Sequence, residues 1–220
     1  MIAQEIIDEV SAQLNDVNLI TWDLSSHIEY INSAMEAIVG IRPDAYSVIT
    51  TMKMAVGAKQ SIPASALRLL DITRNMGSGG TTAGRAVFAV DAESLDLFQF
   101  NWNAAATEAE IKNFSYDERT PNTFYVDPPS DGTGYIEIAV SRTPTRITTA
   151  GQTLVLKDIY RNHLIQWCMF RAYSVEVDSA SSQRRAGIHE QSFYNMMGEK
   201  FQRDVQFSPS VEAQAGGQGG

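Results

Sequence analysis

The chain has 220 residues, enough for one domain with extensions or for two small ones at a typical size of about 150 residues each. Its 17 Lys and Arg against 26 Asp and Glu give a net charge of −9 at pH 7, which argues against a surface that grips nucleic-acid phosphates. No stretch approaches about 18 consecutive apolar residues, so no membrane span is predicted.

Two amphipathic helices are predicted at the start of the chain. In the first, about residues 4–14, apolar side chains recur at helical spacing, with acidic residues on the other side. The second covers about residues 23–39 and carries a single apolar stripe with steps of three and four residues. Gly40 and Pro43 follow as signals that end this helix. Both stripes predict helices that bury one face against a partner.

The central part of the chain changes to β-type patterns. Prolines and glycines punctuate short runs of β-branched and apolar residues, as expected for a small antiparallel sheet. The glycine-rich stretch 75–84 is predicted to be a flexible loop, residues 94–103 a helical turn, and the linker 127–134 a break between the last two strands. Strands are predicted at 47–56, with a return strand at 60–62, and at 85–90, 111–116, 123–126 and 135–139. Residues 67–72 fit either a helix or a strand, and a strand is favoured.

Helical periodicity returns near residue 156. A third helix is predicted to about residue 171, with an apolar stripe wide enough to bury more than half of its surface. Trp167 lies on this stripe and is expected to be mostly buried between the second and third helices. A fourth helix is predicted over about residues 183–204. The remaining tail is rich in glycine and buries too little apolar surface to fold alone.

These patterns predict an α+β fold in which sequence-distant helices share one core. Residues 1–42 and 153–204 are assigned to an antiparallel helical bundle, because neither helix pair can cover its own apolar stripe. Residues 43–152 are assigned to an inserted small antiparallel β domain, and 205–220 to a flexible C-terminal tail.

The chemical motifs are weak. Residues 77–80 resemble a phosphate-binding loop only in composition, because no Gly-Lys-Ser/Thr opens a helix there. Cys168 and His163 lie about 140° apart around a helix of 3.6 residues per turn, so they do not form a nucleophile and base, and Cys168 is expected to be buried. His27 and His189 suit solvent or bundle-edge positions.

The acidic side chains offer no legible catalytic site either. Asp117, Glu118 and Asp127 are interpreted as solvated loop charges, because no catalytic signature flanks them. Three histidines and one cysteine cannot build a Cys/His zinc cluster. No catalytic, cofactor or metal site is therefore predicted.

Four stretches together resemble a known family in their order and spacing. They are Ile31-Asn-Ser-Ala-Met-Glu-Ala-Ile-Val-Gly-Ile-Arg-Pro-Asp44, Leu69-Leu-Asp-Ile-Thr-Arg-Asn75, Asp117-Glu-Arg-Thr-Pro-Asn-Thr-Phe-Tyr-Val-Asp-Pro-Pro129, and Lys157-Asp-Ile-Tyr160 followed by Arg171-Ala-Tyr173. The family is the head-to-tail adaptor (connector) proteins of short-tailed, podovirus-type bacteriophages, and the likeness covers about residues 20–203.

This resemblance implies a structural virion protein without enzymatic activity or cofactor, assembled in the host cytoplasm. Copies of the chain would form a ring, expected to be a dodecamer, between the portal protein and the tail nozzle protein. The ring would extend the channel for genome ejection, and DNA would pass through it without specific binding. The alternatives are a tail-tube or head-completion protein of a phage and, from a different class, a phage cell-wall glycosidase.

A protein that works in an assembly often contacts its neighbours through loops and tails. The candidate interface residues are therefore sought in the C-terminal tail, at the start of the fourth helix and in the proline-rich loop. The tail would anchor through its two sizeable apolar groups, the basic pair would form ion pairs between subunits, and the proline-rich loop would order on a partner. The residues are Phe207 and Val211, Arg184 and Arg185, and Asp127, Pro128 and Pro129.

Overall fold

A computed structural model describes residues 1–98, 101–176 and 179–207. The described residues divide into a helical unit, from 1–41 and from 146 onward, and a β unit, from 42–145. The predicted α+β class is confirmed, with N-terminal helices packed on C-terminal helices and the β-sheets inserted between them in sequence. In the described part of the chain, no helix is both long and apolar enough to cross a membrane.

Four helices build the helical unit, and each buries the apolar face that its periodicity indicates. They are α1 (Ala3–Gln13), α2 (Leu24–Ile41), α4 (Arg161–Ser174) and α5 (Ala180–Phe207), preceded by a short 3₁₀ turn at Asp158–Tyr160. Helix α4 lies centrally and packs against the other three, which explains its wide apolar stripe. The remaining helix, α3 (Ala92–Phe98), belongs to the β unit.

The most deeply buried aromatic side chain of this unit is Phe193 of α5, not Trp167. Trp167 is only half-buried, and its indole Nε1 donates a hydrogen bond to Ser33 Oγ at 3.0 Å. Its ring lies 4.8 Å from the ring of Phe193, which is fully buried. The expected contact of Trp167 with α2 is confirmed by the hydrogen bond to Ser33, and α5 adds an aromatic contact that was not predicted.

A buried amide attaches the chain that returns from the β unit to α2. Asn32 Nδ2 donates to the Ile147 carbonyl at 2.9 Å, and Ile147 N–H donates to Asn32 Oδ1 at 2.8 Å. Next to it, Arg146 forms ion pairs with Glu29 and Glu36 on the same helix. The side chain of Asn32 thus replaces the strand partner that this extended segment lacks.

Two sheets build the β unit. The first has the order β1-β7-β3 and is antiparallel throughout, and the second has the order β2-β6-β5-β4, with β4 and β5 parallel. The strands are β1 (Ser47–Lys53), β2 (Gly57–Ser61), β3 (Ala66–Asn75), β4 (Phe88–Ala89), β5 (Asn113–Tyr116), β6 (Thr123–Ser130) and β7 (Tyr135–Arg142). Apolar side chains from both sheets form one core that includes Phe124, Ile136 and Ile138.

Two local predictions in this region were wrong. The strands β1 and β2 do not form a hairpin, because β1 pairs with β7 and β2 pairs with β6 in the other sheet. Residues 127–130 do not belong to a linker but continue β6. The two prolines are tolerated there because they fall within the register shift between β2 and β6, where ladder hydrogen bonds are interrupted.

Candidate assembly surfaces

The nucleophile and metal-ligand candidates do not assemble into a reactive site. Cys168 is buried in α4, and burial raises the pKa of its thiol, which keeps it protonated and unreactive. Within the described ranges, no group of three or more His, Cys, Asp or Glu side chains is placed to hold a metal ion.

The three carboxylates considered from the sequence, Asp117, Glu118 and Asp127, are each engaged by a basic or amide side chain. Glu118 accepts a hydrogen bond from Arg68 at 2.5 Å, and Asp117 pairs with Arg119 at 3.0 Å. Hydrogen bonds from Arg119 lower the pKa of Asp117. Asp127, instead of being solvated, is buried and accepts from Asn113 Nδ2 at 3.0 Å. These contacts are ion pairs and hydrogen bonds, not the paired carboxylates that a glycosidase requires.

Residues 14–23, which connect α1 to α2, form a loop that is fixed by hydrogen bonds and exposes apolar side chains; we call it the rigid loop. The buried carboxylate of Asp16 accepts hydrogen bonds from the backbone N–H groups of Ile20, Thr21 and Trp22, each at 2.9 Å. The bond from Trp22 is the main cause of the lowered pKa of Asp16. The Trp22 indole in turn donates to the Ala172 carbonyl at 3.1 Å, which fixes the loop on α4.

This loop presents apolar side chains to solvent. Val17 is 67% exposed and Ile20 is 81% exposed, with Leu24 next to them at the start of α2. Because these hydrogen bonds already order the loop, it loses little further conformational entropy when it binds a partner. The helices predicted at about 4–14 and 23–39 leave the residues of this loop without a predicted structure. The sequence offered one signal for this loop, which is Asp16 placed just before a short apolar stretch. An Asp side chain often accepts hydrogen bonds from the backbone N–H groups that follow it.

His27 contradicts its predicted solvent or bundle-edge position, since it is 1% exposed. Burial lowers its pKa below the ordinary value of 6.5, and the nearby charges of Asp16 and Asp23 partly oppose the shift. His189, by contrast, is half-buried and bonded to Gln166.

His27 should therefore destabilise the helical unit in mild acid. Because the pKa of His27 is lower in the folded chain than in the unfolded chain, protonation of His27 favours unfolding. The free energy of unfolding is therefore highest above the unfolded pKa, near 6.5, and falls as the pH drops below that value. In denaturant unfolding, the His27→Gln variant should lose less of its free energy of unfolding between neutral pH and mild acid than the unsubstituted chain does. The difference is at most about 1.4 kcal/mol per pH unit. An unchanged pH dependence in the variant would contradict this role.

The structure places the predicted interface residues in different environments. Asp127, Pro128 and Pro129 are buried within β6 of the single chain, so the exposed loop expected there does not exist. Arg184 and Arg185 are exposed near the start of α5. The guanidinium of Arg185 also lies over the ring of Tyr173, with its carbon 5.6 Å from the ring centroid.

The tail anchors fall at the limit of the described chain. Phe207 is the last residue of α5, and Val211 lies outside the described residues. The interface role of all seven candidate residues stays a prediction. For Asp127, Pro128 and Pro129, their burial in the sheet limits any contact made without rearrangement.

The glycine-rich stretch forms a closed loop at the end of β3. Asn75 N–H donates to the Arg85 carbonyl at 2.9 Å, and Gly84 N–H donates to the Asn75 carbonyl at 2.8 Å. Gly80 has a φ of +72°, and a Cβ at this position would lie 3.0 Å from the ring of Tyr135. Glycine is therefore required where the loop approaches the outer face of the first sheet.

Comparison with known proteins identifies one related group. A family model described as SU10 adaptor protein matches residues 1–214, which include both units and extend beyond the end of α5. A search of curated proteins found no match.

Proposed function

The chain belongs to the SU10 adaptor protein family, and on this premise we propose that it is a phage virion component that joins the portal protein to the tail. Copies of the chain form a closed ring, twelvefold as the sequence resemblance implies, between the portal and the tail nozzle protein. The ring extends the channel through which the genome leaves the capsid. The observation that carries the proposal is the family match over nearly the whole chain.

The exposed surfaces of the chain support a role in assembly. A ring uses heterologous contacts, in which one face of each subunit meets a different face of the next. The rigid loop with Val17 and Ile20, and the exposed Arg184 and Arg185, offer an apolar surface and a basic surface for such contacts. Their exposure in the single chain is consistent with surfaces that are covered on assembly.

The charge of the chain supports a channel that does not retain DNA. Tight binding of a phosphate backbone needs several concentrated Lys and Arg side chains. The net charge is −9, and several described arginines already pair with carboxylates, as Arg68, Arg146 and Arg161 do. DNA therefore passes through the proposed ring during ejection without binding to this acidic protein.

Cryo-electron microscopy of the purified chain mixed with its cognate portal protein tests the proposal. We expect a ring of this chain bound coaxially at the tail-facing end of the portal, absent from grids of the portal alone. Assembly of the chain into tubes without the portal would contradict the proposal and favour a tail-tube role. Failure of the chain to bind the portal at high concentration would also contradict the proposal.

The C-terminal tail provides a second test at the level of one segment. Deleting residues 208–220 should leave the unfolding midpoint nearly unchanged, because Val211 is the one sizeable apolar side chain that this segment could bury, but should weaken assembly on the portal through loss of Val211. Extended chain spans about 3.3–3.6 Å per residue, so the segment is long enough to reach a neighbour. The measurement is co-sedimentation with the portal.

A shorter deletion is the matched control. Removing only residues 216–220, four glycines and a glutamine, keeps Val211 and should assemble as the full chain does. If both truncated chains assembled normally, the tail would be dispensable and its anchoring role would be rejected.

A further inference from the structure

Strand β1 has a free edge that directs backbone hydrogen-bonding groups away from the sheet. Met54 N–H donates to the Gly134 carbonyl at 3.1 Å, which continues the register of β1 with β7. Antiparallel pairs alternate between bonded and non-bonded residues, so the even-numbered residues of β1 bond to β7. The odd-numbered residues Ser47, Ile49, Thr51 and Lys53 turn their N–H and C=O groups to the other side.

No partner covers this edge in the described part of the chain. The backbone N–H and C=O groups of Ile49, Thr51 and Lys53 have no hydrogen bond to any described residue. The side chain of Ile49 is 64% exposed. The strand contains no proline and no register shift, and Lys53 is its only charged residue. A regular, unblocked edge of this kind pairs readily with another strand.

The other described strand edges of the β unit are protected. Strand β3 has three register shifts against β7, and bulges of this kind twist an edge away from pairing. Strand β2 has a register shift of its own, and Trp102 packs with its residue Ala58. Strand β4 is only two residues long. Among the described strands, β1 is thus the one suited to pair with a long segment, including a copy of itself.

We propose that β1 of the free chain pairs antiparallel with β1 of a second copy about a twofold axis at Thr50. In this register Ser47 lies opposite Lys53 of the second copy, and Ile49 lies opposite Thr51. Every outward backbone group of the strand then finds a partner. Any shift of the register by two residues leaves some of these groups unpaired.

The one charged side chain of β1, Lys53, does not oppose this arrangement. The two Lys53 side chains lie at opposite ends of the pair, about 20 Å apart at roughly 3.4 Å per residue, so they do not repel. Each approaches the start of the other β1.

This pairing goes beyond the proposed ring and belongs to the chain before assembly. A twofold contact is isologous and closes after two copies, so it cannot propagate around a ring. One strand pair is also a small interface, which makes the dimer weak and dependent on concentration. It would cover an aggregation-prone edge until the chain meets its assembly partners.

Sedimentation velocity over a wide concentration range tests the dimer. The full chain should shift from one copy to two as concentration rises, whereas Thr51→Pro should remain a single copy. Proline removes an outward N–H and leaves the even-numbered residues that bond to β7 unchanged. Ile49→Lys should act in the same direction, and Val56→Lys, at a 73% exposed apolar residue outside β1, should dimerise as the full chain does.

Hydrogen exchange locates the contact. In the dimer the amides of Ile49 and Thr51 should gain at least tenfold protection, while those of Thr50 and Met52 are protected in both dimer and monomer. A single-copy mass at every concentration would overturn the pairing, as would dimers of Thr51→Pro or of Ile49→Lys at full strength. If Thr51→Pro fails to fold, Ile49→Lys decides alone. None of these outcomes changes the portal-binding test of the ring.

Discussion

Replacing Asn75 by leucine should lower the free energy of unfolding of the β unit by about 3–5 kcal/mol. Asn75 is 1% exposed. Its Nδ2 donates to the Ile111 carbonyl at 2.8 Å and to the Arg85 carbonyl at 3.1 Å, and its Oδ1 accepts from Ile111 N–H at 3.0 Å. Leucine has a similar volume but leaves the buried backbone groups of Ile111 unsatisfied, at about 1–3 kcal/mol each.

The measurement is urea unfolding, with hydrogen exchange of the β-unit amides to assign the loss to this unit. Asn122→Leu is the matched control, because Asn122 is exposed and its substitution should change stability by no more than about 0.5 kcal/mol. Equal losses in the two variants would show that the amide of Asn75 does not hold the segment before β5 in place.

Phe193→Ala should destabilise the helical unit by about 3–5 kcal/mol, the usual cost of removing a buried aromatic ring and leaving a cavity. Phe193 is fully buried where α5 packs on α4. Its ring contacts Trp167 at 4.8 Å and Tyr194 at 5.3 Å between centroids. The loss would therefore separate α5 from the rest of the unit before the other helices unfold.

Denaturant unfolding followed by the intrinsic fluorescence of the three tryptophans measures this effect, since the ring of Phe193 lies against the indole of one of them, Trp167. Ile188→Ala on the same helix is the control, because Ile188 is 62% exposed and its loss should cost less than about 1 kcal/mol. A Phe193→Ala variant as stable as this control would exclude tight packing of α5 on α4.

The bounds of α1, α2 and α5 were predicted to within three residues because helical periodicity is a local property of the chain, whereas α4, expected from about residue 156, begins at Arg161. Helix α2 was expected at 23–39 and is found at Leu24–Ile41, and α5 was expected at 183–204 and is found at Ala180–Phe207. Each turn is closed by hydrogen bonds to residues four positions away, so the apolar stripe alone locates it. The family resemblance also rested on local stretches.

The loop around Asp16 and the strand structure of residues 127–130 were not predicted, because they depend on which residues meet across the fold. The rigid loop around Asp16 required backbone amides to converge on one carboxylate, which no periodicity reveals. The linker prediction at 127–134 followed the usual meaning of two prolines. Only the register shift between β2 and β6 shows why these prolines fit inside a strand.

The amino-acid sequence by itself determined the helix positions, the change to β structure in the middle of the chain, and the acidic charge that argues against DNA binding. The tertiary structure decided the strand partners, such as β1 with β7, because about ninety residues separate them and strand pairing is a non-local interaction. It also decided that Phe193 lies deeper than Trp167, and that no described residue pairs with the outer edge of β1. Burial and edge position depend on the neighbours that an element acquires, and the pattern of a single segment does not specify them.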